Sequence, residues 1–160
     1  MFPTKNDLSE STRTRINEIL NVRLLDVLHL GIHAKDAHWN VKGPSFLQLH
    51  ELFDKIAGQS EADADEIAER IAALGGKIRA SAQLIATESK LAPYPEPISS
   101  GQEHVTALSN SLATVAREVR KSIQESAELG DDDTADLLTG ISRELDKNLW
   151  FVEAHLHASN

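Results

Sequence analysis

Two histidines and three carboxylates, His38, His50, Asp54, Asp65 and Glu69, are the residues of this 160-residue chain whose types and spacing point to metal chemistry. Imidazole tolerates ferrous iron, and hard carboxylate oxygens stabilise the ferric product, so a mixed set of this kind favours oxidation of the ion it holds. The intervals of 12, 4, 11 and 4 residues place the last four on one candidate helix. A helix rises about 1.5 Å per residue, which puts His50 roughly 22 Å from Asp65 and roughly 28 Å from Glu69 along the axis. One metal centre cannot span that distance. At about 100° per residue, however, His50, Asp54, Asp65 and Glu69 fall within roughly one 100° sector. Positions 50 and 69 average to 59.5, as do 54 and 65, which is the relation expected of two identical helices packed antiparallel about a two-fold axis near Gln59 and Ser60. His50 and Asp54 of one subunit would then face Glu69 and Asp65 of its partner, giving two equivalent sites per dimer.

The helix that must carry these side chains is patterned for that arrangement. Small residues, Ala57, Gly58, Ala62, Ala68 and Ala72, lie in or near the ligand sector. The bulky residues Leu49, Leu52, Phe53, Ile56, Ile67, Ile71 and Leu74 lie on a stripe roughly 90° away, which a subunit would bury in its own core. Ligands flanking a core stripe belong at an interface.

Helical spacing continues through most of the chain. Ile16, Leu20, Leu24, Val27 and Leu28 predict a first helix from about Ser9 to the neighbourhood of His38, and Gly43-Pro44 breaks it. Ser45 with Gln48 three residues on reads as a capping box for the second helix, and Gly75-Gly76 stops it. In so short a hairpin His38 and His50 lie at similar heights, so His38 joins the set. Residues 77 to 100 carry a weak helical stretch, Ser81 to Ala86, and then the proline-rich APYPEP. Val105, Leu108, Leu112, Val115, Val119 and Ile123 mark a third long helix, and Leu138, Ile141, Leu145, Val152 and Leu156 a fourth. Two short hairpin loops and one long central crossover make an all-α, ferritin-like four-helix bundle whose crossover carries a short helix. The expected organisation is a single domain over 1–160, with 1–8 a short N-terminal tail.

Composition narrows the functional classes. The absence of cysteine excludes disulfides, zinc-thiolate sites and cysteine-ligated clusters. No apolar run is long enough to span a membrane and the N-terminus lacks a signal-peptide core, so a cytoplasmic protein is expected. A formal charge of -9 and a pI near 5.2 disfavour nucleic-acid binding and favour cations.

The residues His38-Trp39-Asn40 with Lys42-Gly43, His50-Glu51-Leu52 with Asp54, DADEIAER containing Asp65 and Glu69, Leu74-Gly75-Gly76, DDDTADLL and LDKNLWF together resemble the Dps family of mini-ferritins, over nearly the whole chain. The resemblance implies a hollow homododecameric cage with dinuclear ferroxidase sites at two-fold interfaces, two iron ions per site. It implies oxidation of ferrous iron, preferably by hydrogen peroxide, with ferric mineral stored in the cavity. It also places the Trp39 indole beside the metal, where it can take up an oxidising equivalent, and suggests that Asp131 to Asp133 and Asp136 line three-fold pores.

Other readings compete for these residues. Asp63, Glu61 and Glu66 read as surface charges. His29 and His33 are spaced to clamp a metal on one helix face, yet they sit among apolar residues and read as packing groups; His155 and His157 read as tail residues. Asp131 to Asp133 are most simply helix-start residues. A di-iron oxygenase is disfavoured because no Glu-x-x-His occurs. A DNA-compacting nucleoid protein needs a lysine-rich tail, whereas the segment before and into helix one offers Lys5, Arg13 and Arg15 beside Asp7 and Glu10, so DNA binding is expected to be weak or absent. A non-enzymatic zinc or iron buffer using the same ligands stays open, since ligand type alone does not name the metal.

Overall fold

The computed structural model describes residues 1–157. Its helices are α1 (Glu10–Asn40), α2 (Phe46–Ala73), α3 (Ala82–Glu88), α4 (Gly101–Glu128) and α5 (Asp132–Glu153), with no named strand among the described residues. Each boundary has a local cause. Ser9 caps α1, its hydroxyl accepting the Thr12 N–H at 3.1 Å. Ser100 and Glu103 form a capping box at α4, and Ser81 caps α3, which lies at residues 82–88 where the sequence predicts a stretch over 81–86.

The capping box expected at α2 does not form. Ser45 sits at φ -97°, ψ 22°, already turned toward helical backbone, so its hydroxyl does not reach the N–H groups of the first turn. A turn bond from Phe46 N–H to the Gly43 carbonyl, 3.0 Å, shapes that entrance instead.

At the far end of α2, Gly75 takes φ +76°, its N–H bonds to Ala72 O and that of Gly76 to Ile71 O, which closes the helix in a Schellman motif. The same motif at Gly130 ends α4 one turn before α5 begins.

α1 packs on α2 and α4 on α5, and the two hairpins join chiefly through α1 against α4. Ile16, Leu20, Leu24, Phe53, Ile56, Ile67, Leu108, Leu112 and Leu138 fill the core between them. The crossover between α2 and α4 is stitched to α1 by its polar groups. Asp26, fully buried, accepts the Ser89 hydroxyl and the Lys90 N–H, at 3.1 and 2.6 Å. Lys42 N–H to Ser99 O and Gly101 N–H to Lys42 O fasten the other end of the crossover beside the α1–α2 loop. That loop is the part that positions the candidate site.

Candidate metal centre

His38 in the last turn of α1 and His50 in the second turn of α2 meet across the α1–α2 hairpin. Their rings stack with centroids 3.7 Å apart and planes 20° from parallel. Each Nδ1 lies 2.8 Å from the other residue's backbone carbonyl oxygen. A carbonyl can only accept, so both Nδ1 atoms must carry the proton. In the neutral ring it is then Nε2 that keeps the lone pair, the arrangement an imidazole needs to bind a metal. The hairpin thus fixes the tautomer and orientation of both rings.

Asp54 stands one turn beyond His50, exposed, and pairs with Lys35 of α1. The Lys35 hydrogen bond is the main reason its carboxyl is held below the ordinary range, with help from the charges of Lys35, His38 and His50. Nothing in the spacing pattern singled out Lys35. Its signal is positional: it lies one turn before His38, on the part of α1 that crosses the beginning of α2.

Asp65 and Glu69 do not join this group within the chain. They lie exposed further along α2, and among the described residues no three histidine or acidic side chains of one chain gather at a common point. The face between the two halves is open. Two adjoining depressions of about 570 and 640 Å³ run along α1 and α2, the first lined by Ile32, Lys35, Trp39, Asp54 and Gly58, the second by Leu28, Gly58, Ala62, Asp65 and Ala68. Gly58 and Ala62 are exposed there, Ala57 is buried against α1 and Ala68 half-buried, and Ala72 is exposed further along α2. The stripe of bulky residues expected in the core is turned inward: Leu49, Phe53, Ile56, Ile67, Ile71 and Leu74 are buried, and Leu52 is half-buried.

Comparison with known proteins bears on what this arrangement belongs to. Residues 17–159 match the family described as Ferritin-like domain. The chain is 44% identical over 153 residues to the DNA protection during starvation protein of Agrobacterium fabrum, covering 96% of this chain and 94% of that one. The chain belongs to the Dps family. Among solved structures, a Mycobacterium smegmatis Dps superposes with a TM-score of 0.93 at 33% identity, covering 98% of this chain and 95% of that one. Dps from Microbacterium arborescens in the high iron form superposes with a TM-score of 0.87 at 27% identity, covering 98% and 99%.

The other residues weighed as candidates in this Dps chain divide clearly. Trp39 is 66% exposed and borders the first depression next to Lys35 and Asp54. Asp131 is buried at 2% exposure, caps α5 by accepting the Thr134 N–H, and pairs with Arg70 of α2 at 2.7 Å. It ties α2 to α5 and is not free to line a pore. Asp132, Asp133 and Asp136 are outside that tie. His155 and His157 are exposed near the end of the described residues.

Asp63 corrects an expectation. It is no surface charge: only 5% exposed, its carboxylate accepts Gln59 Nε2 at 2.8 Å. Burial, with Glu66 and Glu144 adding to it, pushes the carboxyl up to about 6 against the single opposing bond from Gln59. The sequence signal was its helical angle, beside the core stripe on the side away from the ligand sector. The ionised form is costlier in the folded chain than in the unfolded one, so this residue's contribution to stability worsens as pH rises from 3.8 to about 6. Asp63→Asn should therefore raise unfolding free energy by about 1–2 kcal/mol at pH 7.5. The gain should fade below pH 4. Urea unfolding at both pH values checks it, and an equal effect at the two would show that the carboxyl does not titrate abnormally.

Proposed function

We propose that the protein is a mini-ferritin ferroxidase that assembles as a hollow homododecamer, oxidises ferrous iron at sites shared across two-fold interfaces, and stores the ferric product inside. The observation that carries this reading is the pair of Nε2 lone pairs held open by the reciprocal His38–His50 hydrogen bonds, with Asp54 one turn away. The high iron form of the Microbacterium arborescens relative supports iron as the ion. The open face of α1 and α2 supports a second copy as its cover, because a copy related by a two-fold near Gln59 and Ser60 sets Asp65 and Glu69 opposite His50 and Asp54.

Ferrous iron is the substrate. His38, His50 and Asp54 from one subunit and Asp65 and Glu69 from its partner hold two ions, and Asp54 exchanges the Lys35 ammonium for metal as they bind. The displaced Lys35 and the open coordination positions leave room for oxidant. Each of two ferrous ions gives one electron to hydrogen peroxide. Its O–O bond breaks, both oxygens leave at the level of water, and no hydroxyl radical is released. Hydrolysis of the two ferric ions to oxyhydroxide completes the balance: two Fe²⁺, one H₂O₂ and two H₂O give two FeOOH and four H⁺. Trp39, which borders the same depression as Asp54, supplies an electron when only one iron is present.

The same reading accounts for protection of DNA, the role in the Agrobacterium fabrum relative's name, by removing iron and peroxide and without a grip on DNA. The tail is engaged by its own chain. Phe2 N–H bonds to Gly75 O, Arg13 donates to Leu8 O and Leu74 O, and Arg15 pairs with Glu18. With a net charge of -9, too few cations are left for a salt-dependent hold on phosphates.

The test is anaerobic ferrous loading of the assembled apoprotein, then peroxide or oxygen, with ferric absorbance and particle mass recorded. Oxidation well above the protein-free rate, faster with peroxide, and a gain in particle mass are expected, as is no retardation of plasmid at physiological salt. Oxidation no faster than the blank with either oxidant would reject the enzyme and leave a metal buffer. Stable retardation without added divalent ions would favour the nucleoid protein.

A further inference from the structure

His29 and His33 lie on α1, on a face turned away from His38, between the crossover just after α3 and α4. Their Nε2 atoms are 3.1 Å apart. Each Nδ1 is 3.0 Å from a serine hydroxyl, Ser89 of the crossover for His29 and Ser111 of α4 for His33. The protons can be counted. Ser89 has one hydroxyl proton, and it goes to Asp26 Oδ1, whose carboxylate also takes the Lys90 N–H and faces Arg23. Ser89 Oγ must then accept from His29 Nδ1–H. Ser111 gives its proton to the Ala107 carbonyl at 3.2 Å, so it too accepts, from His33 Nδ1–H. With the serine protons placed so, both histidines are the Nδ1–H tautomer and both Nε2 atoms turn a lone pair toward the same gap.

Two facing lone pairs at that distance repel unless a cation lies between them. A proton is a poor candidate, because burial pushes both imidazoles down, His33 to about 4, and each would further suffer the charge of the other. A metal ion suits the gap. Zinc–imidazole bonds are about 2.0–2.1 Å, and two nitrogens 3.1 Å apart then subtend roughly 100° at the ion, within the range of tetrahedral and octahedral sites. The serines supply the outer hydrogen bonds that ligating histidines usually make on the other ring nitrogen. His33 is buried but His29 is only half-buried, which leaves its side open for water to complete the coordination.

We propose that His29 and His33 form a second metal site in this chain, separate from the His38–His50 centre, clamping a borderline divalent ion of the Zn²⁺ or Cu²⁺ type between their Nε2 atoms. Occupancy fastens α1 to the crossover through Ser89 and to α4 through Ser111. In the empty site the conflict is relieved when Ser111 releases Ala107 and donates to His33 Nδ1, so that His33 Nε2–H reaches His29. Filling the site thus shifts the His33 ring proton from Nε2 to Nδ1 and turns the Ser111 hydroxyl from His33 to the Ala107 carbonyl, and emptying it reverses both.

The probe is Zn²⁺ added to the metal-stripped, assembled protein. Zinc binding at the His38–His50 centre is common to all variants, so the difference between them isolates this site. Wild type should retain one more zinc per subunit after desalting than His29→Gln or His33→Gln, with the iron-oxidation rate of His29→Gln unchanged. Diffraction at the zinc edge from zinc-soaked wild-type crystals should show an anomalous peak about 2.1 Å from both Nε2 atoms. Equal zinc content in wild type and a correctly assembled variant overturns the proposal. So does the absence of that peak, which alone decides the matter if both variants fail to assemble, and either result makes the pair a histidine–histidine hydrogen bond only.

Discussion

A protein carrying His50→Ala and Asp54→Ala should be inactive in iron oxidation, as should one carrying Asp65→Ala and Glu69→Ala, yet the two together should recover roughly a quarter of wild-type activity. In either pure assembly every site lacks two of its five ligands. After dissociation and random reassembly about half of the dimers are mixed, and in each mixed dimer one site is doubly damaged while the other is whole. The intact site takes His50 and Asp54 from one variant and Asp65 and Glu69 from the other. A site confined to one subunit predicts no recovery at any ratio. Mass spectrometry establishes whether mixed dimers have formed; if they have and the rate of ferric absorbance stays at background, the antiparallel interface is wrong. The structure sharpens this expectation, because within one chain the two halves of the ligand set lie on opposite sides of the helix midpoint and nothing in the fold bends α2 to bring them together.

Asp26→Ala should be the most damaging single change to stability outside the apolar core, at about 3–5 kcal/mol. Arg23 is only 5% exposed, and its guanidinium lies 3.0 Å from Asp26 and 3.4 Å from Glu118. Removing Asp26 leaves a buried cation with only the longer contact, and strips the Ser89 hydroxyl and the Lys90 N–H of their acceptor. Burial raises the Asp26 carboxyl despite Arg23 and these donors, so the pair owes its place less to net stability than to fixing the crossover on α1. Replacing both partners, Arg23→Met with Asp26→Leu, should accordingly cost far less than Asp26→Ala alone. Urea unfolding at one fixed protein concentration measures both, since assembly makes stability concentration-dependent. A loss below about 1 kcal/mol for Asp26→Ala would mean that water or Glu118 compensates Arg23, contrary to the burial observed.

The helices and their order were written in the sequence because helical periodicity is local. Ser9, Gly43-Pro44, Gly75-Gly76 and Gly130 act within one turn of the backbone, and the boundaries fall at or beside them. The core stripe of α2 was legible for the same reason, since residues on one face of a regular helix share their surroundings. The shared midpoint of His50 with Glu69 and Asp54 with Asp65 is likewise a property of numbering and helical rise alone, and it pointed to a partner that one chain does not contain. Three matters depended on contacts between segments distant in sequence, and only the tertiary structure decided them. The first is the state of His38 and His50, whose protons are set by each other's backbone carbonyls across the hairpin. The second is the burial of Asp63 and Asp131, acidic residues in acidic stretches, which turns on where α5 lies against α2. The third is the environment of His29 and His33: their spacing put both on one face of α1, but whether that face met lipophilic side chains or two serine hydroxyls from residues 89 and 111 was fixed by the crossover and α4 closing over it. A side chain's direction follows from the helix that carries it, whereas its proton follows from whatever is packed opposite.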